Sequence, residues 1–144
     1  MRRNANGFQV RLLNHSDKLS DILYKTIYMS CLFNSISHFI SENSFDARQK
    51  ICDYLESNNV IMEGIETKDI LNMESTNYIE SMRNTSTWGG AIEIQAACNI
   101  WNMSIIVHNI RDNNCKITFI PIRSNVNKTI NITWNGGHYE PINL

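Results

Sequence analysis

A chain of 144 residues, 42% hydrophobic and 19% charged, is long enough for one folded domain with a real core. Its net charge of -1 excludes a nucleic-acid binder that works by broad phosphate neutralisation, and two prolines with six glycines argue against long disordered stretches. No apolar run reaches the roughly 18–20 residues of a membrane span, and Cys31, Cys52, Cys98 and Cys115 form no CxxC pair, so neither a disulfide framework nor a zinc site is expected.

Phe8 to Leu13 alternates apolar and polar residues and predicts a short strand. Ser16-Asp17 reads as a cap for a helix carrying Leu19, Ile22, Leu23 and Ile27. The pattern breaks at Tyr28-Met29-Ser30, and a second helix begins at Cys31 with Leu32, Ile36, Phe39 and Ile40 on one stripe. Ser35, His38 and Glu42 fall elsewhere on its circumference. A third helix spans Asp46 to Ser57 with Ile51, Tyr54 and Leu55 inward, and a fourth spans Thr67 to Met82. After a break at Trp88-Gly89-Gly90, a fifth helix runs to about Trp101 on a stripe of Ala91, Ile94, Ala97, Cys98 and Trp101.

Beyond Trp101 the period shortens to two. Strands are expected at Ser104 to His108, Lys116 to Ile122, around Ile130 to Trp134, and from His138 to Ile142. Asp112-Asn113-Asn114 and Asn135-Gly136-Gly137 supply turns. Helices first and strands last predict a single α+β domain over residues 1–144 with a largely antiparallel sheet.

Four positions could carry chemistry. Cys31 opens a helix, where the macrodipole favours thiolate over thiol; the competing reading is a small buried hydrophobe. His138 follows a Gly-Gly turn and could take a thiol proton; His15, His38 and His108 are its rivals. Glu140, two residues on, shares a strand face with His138 and could fix its tautomer, unless Asn143 or a carbonyl does so. Trp88-Gly89-Gly90 is a loop feeding a helix, either a plain turn with a core tryptophan or a site of close backbone approach.

Three segments, in order, resemble the ovarian-tumour (OTU) family of cysteine proteases. Cys31-Leu32-Phe33-Asn34-Ser35-Ile36 is similar to its nucleophile helix, Thr87-Trp88-Gly89-Gly90-Ala91-Ile92-Glu93 to its central Trp-Gly-Gly motif, and Gly137-His138-Tyr139-Glu140 to its C-terminal His-Tyr-acid motif. The resemblance implies a papain-like fold and hydrolysis of isopeptide bonds behind the C-terminal Gly-Gly of ubiquitin or polyubiquitin, and of ubiquitin-like modifiers. It implies Cys31 as nucleophile, His138 as base and Glu140 as its orienting group. Backbone amides of Cys31 and Met29 would form the oxyanion hole, and Trp88, Gly89 and Gly90 would flank the substrate tail. No metal or organic cofactor is implied, and no nucleic-acid or membrane partner. The short chain and biased composition are similar to virus-encoded members, and the location expected from reduced thiols and no signal-like start is cytoplasmic.

One departure stands out. The family has Asp-Gly-x before its cysteine where this chain has Tyr28-Met29-Ser30, which motivates an alternative: a weakly active or inactive module that binds ubiquitin or a host protein. A protease that processes its own polyprotein is a further alternative.

Overall fold

The computed structural model describes residues 2–3, 9–10, 29–57, 60–123 and 125–144. Strands β1 (Arg2–Arg3) and β2 (Gln9–Val10) pair antiparallel. β2 falls within the strand expected from Phe8 to Leu13, whose other residues lie outside the described ones, as does the helix expected after Ser16-Asp17.

Helix α1 (Cys31–Ser37) starts where the pattern predicts and buries Leu32, Phe33 and Ile36. Removing such side chains from water is worth roughly 1.5–3 kcal/mol each. Ser35 departs from expectation. It is buried, and its hydroxyl donates to the Cys31 carbonyl one turn back at 2.8 Å.

Helix α2 (Ser44–Ser57) begins two residues earlier than expected, because the Asn43 side-chain oxygen accepts the Asp46 amide at 2.8 Å. Its inward face is Ala47, Arg48, Ile51, Cys52 and Leu55. A hairpin that the sequence pattern did not reveal follows, β3 (Val60–Met62) and β4 (Ile65–Glu66), turning at Gly64 with φ +79°.

The expected single helix from Thr67 to Met82 is two: α3 (Thr67–Glu74) and α4 (Tyr78–Arg83). Ser75, Thr76 and Asn77 interrupt it, and Ser75 is fully extended at φ -165°. Such residues offer the backbone hydrogen bonds that compete with the helical ladder. Helix α5 (Ala91–Trp101) closes on Asn102 in the left-handed region at φ 50° and leads at once into the sheet.

That sheet contains β5 (Met103–Asn109), β6 (Cys115–Phe119), β7 (Lys128–Trp134) and β8 (Tyr139–Ile142) in the order β6-β5-β7-β8. The outer pairings are antiparallel, while β5 and β7 run parallel at the centre. The near-continuous burial of Met103, Ser104, Ile105 and Val107 fits a central strand covered on both faces. α5 packs on β5, and α1 packs against β8, so the first described helix and the last strand are neighbours. No helix among the described residues is long and apolar enough to cross a membrane.

Gly89 sits where the loop before α5 crosses α1. A Cβ there would lie 2.9 Å from both Leu32 and Phe33 side-chain atoms, inside any real contact, whereas one at Gly90 would meet nothing. Gly89→Ala is therefore expected to cost about 1–3 kcal/mol of stability through overpacking. Thermal unfolding monitored by circular dichroism will show a lowered midpoint.

Candidate active site

Two segments far apart in the chain meet at Cys31. The thiol lies at the first turn of α1, and the backbone N–H of Tyr139, at the start of β8, donates to its Sγ at 3.4 Å. His138 is the residue immediately before Tyr139, so the β7–β8 turn places its backbone next to the residue that reaches the cysteine. That turn is built locally. The Asn135 side-chain oxygen accepts the Gly137 amide at 3.0 Å, Gly136 supplies a φ of +99°, and the Asn135 amide donates to the His138 carbonyl at 3.2 Å.

Nε2 of His138 lies 3.3 Å from Oε1 of Glu140, the i, i+2 neighbour on the same strand face. The Glu140 side chain is 66% exposed and that of His138 20%, so this contact is made at the rim. The rival histidines are engaged elsewhere. His38 meets Asn143 Oδ1 at 3.2 Å, and His108 meets Asn131 Oδ1 at 2.9 Å. That also accounts for Asn143. His15 lies outside the described residues.

A cavity of about 170 Å³ opens beside the thiol, lined by Cys31, Trp88, Gly89, Trp134, Gly136, Gly137 and Tyr139. Small-molecule pockets usually exceed about 300 Å³, so this one is narrow. Its walls are three glycines and three aromatic rings. Trp88 is 53% exposed, which sets aside the alternative of a plain turn with a core tryptophan. Trp134 and Tyr139 are a directly opposed cross-strand pair with ring centroids 6.3 Å apart.

The expectation that helix placement favours the Cys31 thiolate is corrected by the structure. Burial pushes the thiol up, and this outweighs the lowering by the Tyr139 and Leu32 amides and by the Arg48 charge. The side chain is only 5% exposed, and a helix of seven residues offers little macrodipole to compensate.

Beneath the site lie residues that the sequence reading passed over. Arg48 is 1% exposed, with its guanidinium 4.0 Å above the Phe33 ring. Nη1 donates to the carbonyls of Met82 and Thr87 at 2.9 and 2.8 Å. Nη2 donates to the Met29 carbonyl and the Ser30 hydroxyl, both at 3.2 Å, and to the Thr85 carbonyl at 3.4 Å. Glu93 is also fully buried. It accepts the Gly90 amide at 2.7 Å and the Tyr78 hydroxyl at 2.6 Å, and burial holds its carboxyl above the usual range despite these bonds. The loop from Thr85 to Gly90 is thus held by a buried cation near one end and a buried carboxyl at the other. The signal for Arg48 was its place on the stripe Arg48, Ile51, Cys52, Leu55, where a solvated charge does not belong.

Ser30 precedes Cys31 at φ -97°, ψ 8°, a conformation that makes no demand for glycine. Met29 presents its carbonyl to Arg48, while its own amide joins it to Tyr28, outside the described residues. Among the described residues no group of three or more histidine, cysteine or acidic side chains could hold a metal ion.

The family model described as OTU-like cysteine protease matches residues 30–139, a span that contains both Cys31 and His138. Ubiquitin thioesterase otu2 of Schizosaccharomyces pombe is 34% identical over 90 residues, which covers 56% of this chain and 29% of that protein. Among solved structures, an ovarian tumour domain in complex with ubiquitin superposes with a TM-score of 0.64 at 25% identity, covering 78% of this chain and 63% of that one. The viral OTU domain protease from Dera Ghazi Khan virus shares the fold, with a TM-score of 0.56 at 21% identity over 78% of this chain and 73% of that one. The chain thus spans less than a third of the Schizosaccharomyces pombe relative and under two thirds of the ubiquitin-bound domain. Matched across most of its length, from the turn before the cysteine to the strand after the histidine, the chain belongs to the OTU-like cysteine protease family.

Proposed function

We propose that the chain is a deubiquitinase that cleaves isopeptide bonds behind the C-terminal Gly-Gly of ubiquitin, with Cys31 as nucleophile, His138 as base and Glu140 as the group that orients His138. The cavity carries this reading. It runs to the Cys31 thiol between Gly89, Gly136 and Gly137 and the rings of Trp88, Trp134 and Tyr139, which suits a peptide end without side chains. Family membership and the resemblance to a ubiquitin-bound domain support the same substrate.

In the acylation step the thiol proton passes to His138 as Sγ attacks the scissile carbonyl. Because Glu140 engages Nε2, the exchange with sulfur is assigned to Nδ1. The carbonyl oxygen becomes an oxyanion, stabilised by the Cys31 amide and, in place of the Met29 amide first expected, by that of Ser30. Collapse expels the lysine amine, which takes the proton from His138 and leaves a thioester. Water, deprotonated by His138, then releases the ubiquitin carboxylate and the thiol. The reaction needs reduced Cys31, which favours a cytoplasmic setting.

Ubiquitin bearing a thiol-reactive group at its C-terminus will form an adduct with Cys31, and at least one linkage in a panel of ubiquitin dimers will be cut. A chain that binds ubiquitin but neither labels nor cleaves would instead be a binding module.

A further inference from the structure

We propose that Arg48 is a positioning residue for this reaction: its guanidinium ties the Met29–Ser30 peptide to the loop that carries Trp88 and Gly89, and so fixes the orientation of the Ser30 amide beside the thiol. The inference rests on the assignment of Cys31 as nucleophile. One guanidinium nitrogen reaches the Met29 carbonyl and the Ser30 hydroxyl, and the other reaches the carbonyls of Met82 and Thr87. Ser30 Oγ itself donates to the Thr85 carbonyl at 3.2 Å, so the turn and the loop are bridged a second time at the same place.

The consequence for the oxyanion follows from peptide geometry. No cis peptide occurs among the described residues, so fixing the Met29 carbonyl toward Arg48 sends the Ser30 N–H to the opposite side. A flip of that peptide would forfeit the charge-assisted bond. Arg48 therefore holds one orientation of the turn at the position where the family carries a glycine and this chain carries methionine. Among the described residues it makes no ion pair with a carboxylate, and every oxygen it reaches belongs to one of the two segments flanking the thiol or to Met82 at the end of α4. Buried Glu93 acts on the guanidinium only through space, so the donors themselves are spent on backbone and hydroxyl oxygens, a costly arrangement for a mere filler. A fork of five fixed donors is suited to holding two backbone segments in one geometry, and a lysine ammonium is not.

The test compares the full chain with Arg48→Lys and Ser30→Ala, the latter removing one arm of the bridge from a side chain small enough to lose without a large void. Steady-state cleavage of ubiquitin carrying a fluorogenic C-terminal amide gives kcat and KM, and iodoacetamide reports thiol reactivity without needing an oxyanion hole. Arg48→Lys is expected to lower kcat by about 10²-fold, as a displacement of order 1 Å does. Ser30→Ala is expected to lower it roughly three- to tenfold, the scale of one hydrogen bond. In both, KM and the alkylation rate stay within about twofold of wild type. If Arg48→Lys does not fold, Ser30→Ala decides alone. Unchanged kcat in the folded variants, or an alkylation rate that falls in step with kcat, would overturn the inference and leave Arg48 a structural residue. Wild-type protein that neither cleaves nor labels at Cys31 would overturn the functional reading itself.

Discussion

Cys31→Ala will abolish cleavage of ubiquitin conjugates while leaving ubiquitin binding intact. Removal of a covalent nucleophile costs on the order of 10⁴–10⁶ in turnover. The side chain is nearly buried at the start of α1, and exchanging sulfur for hydrogen there removes little volume, so the fold survives. Cleavage of ubiquitin dimers followed on gels, beside a binding titration with monoubiquitin, separates the two properties. The remaining thiols are poor substitutes. Cys52 and Cys98 are buried and pushed up to about 11 and about 12 by desolvation, and Cys115 is exposed at the start of β6, paired with Asn109 rather than placed on the cavity. Residual activity above about 1% of wild type would mean that another residue attacks.

The second large effect concerns proton transfer. Burial raises the Cys31 thiol, so the folded protein favours the protonated form more strongly than a free cysteine does, and the thiolate must be generated by a base. His138→Ala is accordingly expected to lower kcat/KM by about 10²–10⁴-fold at neutral pH. The sign of the pH dependence follows from the same shift. A raised pKa means that the thiolate fraction is still climbing through pH 9, so residual activity of His138→Ala will rise with pH across that range, by about tenfold per unit where the pH is well below the thiol's pKa. The wild-type profile will be shallower across the same interval. Glu140→Gln will cost far less, roughly three- to tenfold, because a carboxylate at the rim is screened by solvent. Rates of ubiquitin cleavage between pH 6 and 9.5 for the three proteins provide the measurement. A flat profile for His138→Ala would show that the thiol ionises without help from the imidazole.

Much of this site was legible in the sequence because each part depends on a local pattern. The apolar stripe of Leu32, Ile36 and their neighbours announces a helix at Cys31, the Asn135-Gly136-Gly137 turn places His138 beside a strand, and alternation along that strand brings Glu140 to the same face. What escaped was set by tertiary contact. Arg48 sits on the inward stripe of α2, but the residue type argues for solvent, and only the backbone segments that converge on it make its burial tolerable. The break between α3 and α4 falls at Ser75 to Asn77, whose helix-competing side chains are individually weak signals within an otherwise periodic run. The parallel pairing of β5 with β7 was equally hidden, since alternation within a strand says nothing about its neighbour's direction. The thiol's upward shift depends on how fully the surrounding chain encloses it, a quantity absent from the residue order.

The placement of β8 bears on the order in which the proposed site is assembled. Tyr139, which reaches the thiol, stands 108 residues after it, on a four-residue strand at the sheet edge that pairs with β7 alone. Cys31 therefore leaves the ribosome long before His138 is made, so the proposed pair assembles only once the C-terminal strands have folded. In the folded molecule His138 lies in the turn that leads into this edge strand, against which α1 packs. The packing of α1 on β8 that closes the fold thus also brings the two halves of the proposed pair together.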